Sequence, residues 1–151
     1  MAPLPSDISL RTLGFDADQI EYRHPNGSYR CVVRHVEGAI FHLVQEGYVD
    51  DAAVVRMVDI FRRIRGELAS RFGLTTCVII NEIAAVTGGS IYSKRYLRRY
   101  FDTWPGTLLI GVGAKGGVRI VGKILARLSS GLSVRMVDTF DEALTLAREC
   151  D

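Results

Sequence analysis

The chain has no stretch of about eighteen apolar residues, so no helix is expected to cross a membrane. Residues Met1 to Asp7 lack a basic segment followed by an apolar one, so no secretory signal is expected. Cysteine is scarce: Cys31, Cys77 and Cys150 are odd in number, far apart and without a C-x-x-C pair. That pattern argues against a disulfide frame or a zinc knuckle and for reduced thiols in a cytoplasm. Cys77 falls in a run that reads as a buried strand, where a thiol packs inertly. His24, His35 and His42 show no metal-ligand spacing to Cys or acids, so neither a metal nor a cofactor is assigned. A large charge of one sign is also missing. The net charge of +2 rules out any argument from global basicity.

What is present is a regular order of elements in 151 residues, 48% of them hydrophobic, enough for one continuous core. Residues 1–18 hold two prolines and scattered apolar side chains (Leu10, Leu13, Phe15) and read as an irregular lead-in that packs loosely or contacts a partner. Residues 19–151 read as a single domain. Gln19 to His24 and Ser28 to Val36 flank Pro25-Asn26-Gly27, a hairpin signal. Glu37-Gly38 closes a second hairpin, and pairing Val36 with Ala39 puts Cys31, Val33, Ile40, His42 and Val44 on one face. Val32, Phe41 and Leu43 then share the other. Both faces are largely apolar, which predicts a sheet covered on two sides.

Asp50 or Asp51 caps a helix predicted to run to about Phe72, with Gly73 as its stop. Thr76 to Ile80 reads as a central strand, Asn81 to Gly89 as a turn, and Ser90 to about Asp102 as a helix. Thr107 to Val112 is a further strand, followed by a helix from about Val118 to Leu128 and a strand from Leu132 to Val137. Thr139-Phe140-Asp141-Glu142 is a capping box that opens the last helix. The fold class is therefore α/β: a mixed sheet opened by antiparallel hairpins and continued by βα units.

Three segments carry a likeness. They are Leu43-Val44-Gln45-Glu46-Gly47-Tyr48-Val49-Asp50, Cys77-Val78-Ile79-Ile80-Asn81, and Val137-Asp138-Thr139-Phe140-Asp141-Glu142-Ala143-Leu144. In this order they resemble the STAS domain, the sulfate-transporter and anti-sigma-factor-antagonist fold, in particular its bacterial stand-alone relatives. The resemblance spans about residues 28–150. It implies a non-enzymatic regulatory domain that binds a kinase, an anti-sigma factor or a sensor domain. It also implies a phosphorylated hydroxyl in an Asp-Ser-Ser/Thr-Gly motif where the helix after the central strand begins. Ala85-Val86-Thr87-Gly88 matches only the last two positions. Thr87, Gly88, Gly89, Ser90, Lys94 and Arg95 are thus the candidates for partner contact or phosphorylation. Independently of any family, a phosphate at a helix start is favoured by free amides and the helix dipole, although Ser90 also reads as a plain N-cap.

Other patterns compete. Gly111-x-Gly113-x-x-Gly116 follows a strand and precedes a helix, with Asp138 at the end of the next strand, as in a dinucleotide fingerprint. The chain that remains is too short for a three-strand mononucleotide-binding half. A small nucleotide- or phosphate-binding protein is nevertheless the alternative reading, with Gly111, Gly113, Lys115, Gly116, Gly117 and Asp138 as anion-binding candidates. Gly117-x-x-x-x-Gly122-Lys123 fails as a phosphate loop because Ile124 stands where Ser or Thr is needed. Glu82 shows no second carboxylate, His or nucleophile beside it, and no catalytic set is assigned.

Charge is unevenly spread. Ser90 to Arg127 holds eight Lys or Arg against Asp102 alone, while the last 24 residues carry two Arg against five acids. Tyr92, Tyr96 and Tyr100 recur at every fourth position among Lys94, Arg95, Arg98 and Arg99. Stacking on single-stranded nucleic acid is one use of such a stripe. Packing of the tyrosines against the sheet with solvated cations is the preferred one, and an acidic protein partner comes next. Dimerisation through the lead-in is left open.

Overall fold

The computed structural model describes residues 5–102, 106–116 and 132–150. Six strands form one mixed sheet in sequential order. They are β1 (Gln19–Arg23), β2 (Tyr29–Glu37), β3 (Ile40–Val49), β4 (Cys77–Gly89), β5 (Thr107–Val112) and β6 (Leu132–Val137). β1, β2 and β3 pair antiparallel. β3 to β6 run parallel. Three α-helices are described, α1 (Asp51–Phe72), α2 (Ile91–Asp102) and α3 (Phe140–Glu149), besides one 3-10 turn at Pro5–Asp7. The helix expected from Val118 to Leu128 lies outside the described residues. Among those described, no helix is long and apolar enough to cross a membrane.

The helix ends follow their sequence signals. The Asp50 carboxylate accepts the Ala53 N–H at 2.8 Å, and Gly73 closes α1 in the left-handed region at φ 67°. Thr139 accepts the Glu142 N–H at 3.2 Å, and its hydroxyl donates to the Glu142 carboxylate. α1 buries Val54, Val58, Phe61, Ile64 and Leu68 at three- and four-residue spacing against the sheet. Each such side chain contributes roughly 1.5–3 kcal/mol on burial.

The second hairpin departs from the expected register. His35 pairs with Phe41 and Glu37 with Ile40, so Val36 is an extra residue in a bulge. A slip of one residue exchanges the faces of β3 relative to β2. Cys31 and Val33 therefore share the α1 face with Phe41 and Leu43, while Ile40 joins Val78, Ile80 and Ile110 beneath α3. The expectation that both faces are covered holds; the residues assigned to each do not. In the first hairpin only Gly27 takes a positive φ. Asn26 instead accepts the Ser28 N–H on its side-chain oxygen at 2.9 Å.

The lead-in is firmly packed. Ile8, Leu10 and Leu13 belong to the core on the α1 face. Arg63 and Arg71 of α1 donate to the carbonyls of Gly14 and Thr12, at 2.6 and 2.9 Å. The Arg63 guanidinium also lies over the Phe15 ring. Scattered apolar residues between prolines hid this, because the segment fills the core without a periodic element.

Cys31 and Cys77 are buried and Cys150 is exposed. Burial pushes the Cys77 thiol from its ordinary 9.0 up to about 11 and raises Cys31 as well. A thiol whose folded pKa is raised stabilises the fold fully below its unfolded value and loses that contribution as pH rises through the folded one. Folding stability is thus expected to hold up to about pH 9 and fall towards about pH 11, with a smaller fall in Cys77→Val. A thiol reagent should modify Cys150 alone in native protein and all three cysteines in denaturant. Fast native modification of Cys77 would contradict the packing described.

Candidate functional site

The run Asn81 to Gly89, expected as a turn, is strand. β4 stays paired with β3 as far as Val49 and Gly89, well past Glu82, where its pairing with β5 stops. Two irregularities make this possible. Val44 faces Glu82 and Glu46 faces Ala85, so β4 carries one extra residue there; Gly47 faces Val86 and Tyr48 faces Gly88, so Thr87 is a second. Gly and small residues with little helical or strand pattern read locally as a turn, whereas tertiary pairing draws them into the sheet.

Since Val49 pairs with Gly89, the next residues of each strand, Asp50 and Ser90, begin α1 and α2 side by side on one face. The Ser90 N–H donates to the Val49 carbonyl at 3.0 Å. The Ser90 hydroxyl donates to Asp51 Oδ1 at 2.6 Å and accepts the Ser93 N–H at 3.0 Å. Ser90 is therefore the N-cap of α2, tied to the first turn of α1. Asp50 is committed as well: one carboxylate oxygen caps α1, and the other accepts from His24 Nε2 at 3.2 Å. The His24 Nδ1 accepts the Asn26 N–H, which leaves the proton on Nε2. Sequence inspection missed the Ser90–Asp51 contact because its partners are 39 positions apart.

Thr87 differs from Ser90. It is exposed, and as a bulged residue its backbone lacks a register partner on β3. Gly88 beside it lies against the Tyr48 ring. Lys94 and Arg95 are exposed one turn into α2. Thr87, Gly88, Gly89 and Lys94 line a cavity of about 560 Å³ between α1, α2 and the sheet, whose apolar floor includes Leu43, Ile79, Leu109 and Val134. Three large apolar or aromatic side chains stand out at this end: Tyr48 is 45% exposed, Ile91 71% and Tyr92 46%. The tyrosine stripe is graded, with Tyr100 buried, Tyr96 half-buried and Tyr92 exposed, its ring 5.7 Å from that of Tyr96.

The glycine turn after β5 is placed at the same end of the sheet. The Gly113 N–H, which an anion would need, donates to the Val137 carbonyl at 3.1 Å. A Cβ at Gly111 would sit 2.7 Å from the Met136 sulfur, so this glycine serves close packing between neighbouring strands. Lys115, Gly116 and Asp138 are exposed, Lys115 at the cavity already described, and Gly117 lies outside the described residues. Glu82, which looked isolated, is not: His42 Nε2 lies 2.5 Å from its carboxylate. Arg34 donates to His42 Nδ1 at 3.1 Å and the Phe140 ring packs 4.8 Å from the imidazole. Both nitrogens of buried His42 are thus satisfied, as expected of a structural histidine.

The comparisons with solved structures agree with this topology. An anti-sigma factor antagonist from Mycobacterium paratuberculosis superposes with a TM-score of 0.55 at 14% identity, covering 84% of this chain and 99% of that one. An uncharacterised DUF3478-family protein with a SpoIIAA-like fold from Shewanella loihica reaches 0.56 at 10% identity, with 89% and 99% covered. Unphosphorylated SpoIIAA, an anti-sigma factor antagonist, reaches 0.51 at 15%, with 79% and 96% covered. The chain has the STAS-like fold. At these identities the likeness establishes architecture alone. No protein-family model and no curated protein sequence matches the chain.

Ser90→Ala removes the cap of α2 and the partner of Asp51, and should cost about 1 kcal/mol in chemical denaturation. Ser90→Asp sets a second carboxylate against Asp51 and should cost more, with Asp51→Asn restoring part of the loss. Full stability in Ser90→Ala would remove the tie between the helices. Gly47 (φ 92°) lies within β3 between Tyr29 of β2 and Val86 of β4, and a Cβ there would sit 2.0 Å from the Ser28 carbonyl oxygen. Gly47→Ala should therefore destabilise by roughly 2–4 kcal/mol in the same assay.

Proposed function

We propose that this chain is a non-enzymatic regulatory domain that works by protein–protein contact, as the anti-sigma factor antagonists sharing its fold do by name. The contact surface runs from Thr87 to Arg95, and the partner is a regulatory protein such as a kinase, an anti-sigma factor or a sensor domain. A cytoplasmic setting fits the three unpaired thiols.

The presentation of Thr87 carries this reading. A strand bulge holds the hydroxyl-bearing residue out of the ladder, next to exposed Tyr48, and bulges of this kind re-aim side chains at functional edges. Between the two hydroxyls considered for phosphorylation, the geometry favours Thr87. Ser90 already spends its oxygen on the Asp51 carboxylate and the Ser93 amide, and a phosphate there would face a carboxylate at contact distance. Thr87 is exposed and lines the same cavity as Lys94.

Capture of partners by cross-linking in cells, followed by mass spectrometry, tests the reading. The parent protein is expected to retain a defined regulatory protein that Thr87→Ala, Arg95→Ala loses. No partner at all, or the same partner held equally by the double variant, would count against it. A thermal shift against nucleotides separates the alternative: a stabilisation abolished by Lys115→Ala would place the function at the glycine turn.

A further inference from the structure

The outer face of α2 combines features that a free surface helix ordinarily avoids. Lys94, Arg95, Arg98 and Arg99 are all exposed, and none makes a salt bridge among the described residues. Lys94 with Arg98, and Arg95 with Arg99, are like charges at i, i+4, a spacing at which each pair destabilises a helix by a few tenths of a kcal/mol. Lys94 and Arg95 also sit close to the positive end of the helix dipole, where cations are disfavoured. α1 on the same sheet face shows the contrast. Four of its five arginines are engaged: Arg62 and Arg71 pair with Asp59 and Glu67, and Arg63 and Arg65 donate to backbone carbonyls, while exposed Arg56 makes no salt bridge among the described residues.

The start of α2 adds Ile91 and Tyr92, two of the three large hydrophobic residues exposed among those described. Cations that repel one another and make no salt bridge among the described residues, beside unburied apolar side chains, conflict locally with helix stability, and such conflicts mark binding surfaces. We propose that the α2 face formed by Ile91, Tyr92, Lys94, Arg95, Arg98 and Arg99 docks an acidic protein segment that also carries apolar side chains. Carboxylates of the partner relieve the repulsion along the helix, and its apolar residues cover Ile91 and Tyr92. This rests on the protein-contact reading above and specifies the chemistry of the partner.

A phage-displayed library of random peptides, selected on the intact protein and measured by fluorescence anisotropy, tests it. Enriched peptides are expected to be rich in Asp and Glu and to contain Leu, Phe or Trp. Their affinity should fall at least about tenfold in Arg95→Glu, Arg98→Glu and weaken steadily with added salt. Arg95→Ala, Arg98→Ala should give a smaller loss, and circular dichroism melts should show both variants folded. Neutral or basic winners, equal binding by the charge-reversed variant, or no enrichment would each overturn the proposal. Tighter binding of an oligothymidine probe than of any acidic peptide would overturn it in favour of single-stranded nucleic acid. A partner captured in cells that survives the charge reversal would leave protein contact standing while removing the acidic segment.

Discussion

Parallel pairing of β3 with β4 out to Val49 and Gly89 is the constraint on which the site depends. It brings two strand ends level, and each runs directly into a helix on the same face of the sheet. Two sets of unpaired helix N–H groups and two positive dipole ends are thereby set next to each other, an arrangement that is unfavourable without anionic neighbours. Asp50, Asp51 and Ser90 answer this as a group. Asp50 caps α1, and Asp51 accepts the hydroxyl of the residue that caps α2. The acids at the end of the Gly47-Tyr48-Val49-Asp50-Asp51 run are thus first of all structural, and Thr87, Lys94 and Arg95 are left outside this arrangement.

The pairing could not extend so far without losing register, and a buried polar chain shows where the slack is taken up. The Tyr29 hydroxyl donates to Gln45 at 2.6 Å, and the Gln45 amide donates to Asn81 at 2.8 Å. Gln45 is the residue skipped between the Val44–Glu82 and Glu46–Ala85 pairs. Its side chain is buried and needs both partners, so a slip of β4 would strand a polar group in the core. Burial also raises the Tyr29 phenol above its ordinary range, which keeps it a neutral donor across the physiological range. The core beneath the site thereby fixes the place of the first irregularity, and the second leaves Thr87 outward.

Much of this fold was legible in the sequence because local signals and tertiary needs agreed. Asp50, Gly73 and the Thr139–Glu142 box mark helix ends through bonds made within four residues, and such bonds can be read from spacing alone. The errors fell where a distant partner decides. Val36 looks like an ordinary strand residue until Phe41 and Ile40 define a bulge around it. Asn81 to Gly89 looks like a turn until β3 supplies the ladder. Glu82 and His42 are 40 residues apart, and only the parallel register of β3 and β4 makes them neighbours. Thr87 and Ser90 look alike in sequence, and spacing holds no means of telling a bulged, exposed hydroxyl from a committed cap.

The two helices that meet at this site are unequal, and the inequality bears on how a signal could be read there. α1 is 22 residues long, capped at both ends, and buries eight side chains. α2 is 12 residues long, is capped by Ser90 and carries on its exposed face cations that make no salt bridge among the described residues. Local opening in proteins starts from elements with few buried contacts and unfavourable surface charge. α2 is therefore the member of the pair whose stability depends most on what lies outside it. Under the proposed reading, a partner that neutralises its face would add stability that the free protein lacks, and a phosphate on Thr87 would alter the field at its first turn without touching the α1 cap. Binding and modification would then act on one short helix, held at its start by the Ser90 hydroxyl on Asp51 of α1 and the Ser90 N–H on the Val49 carbonyl.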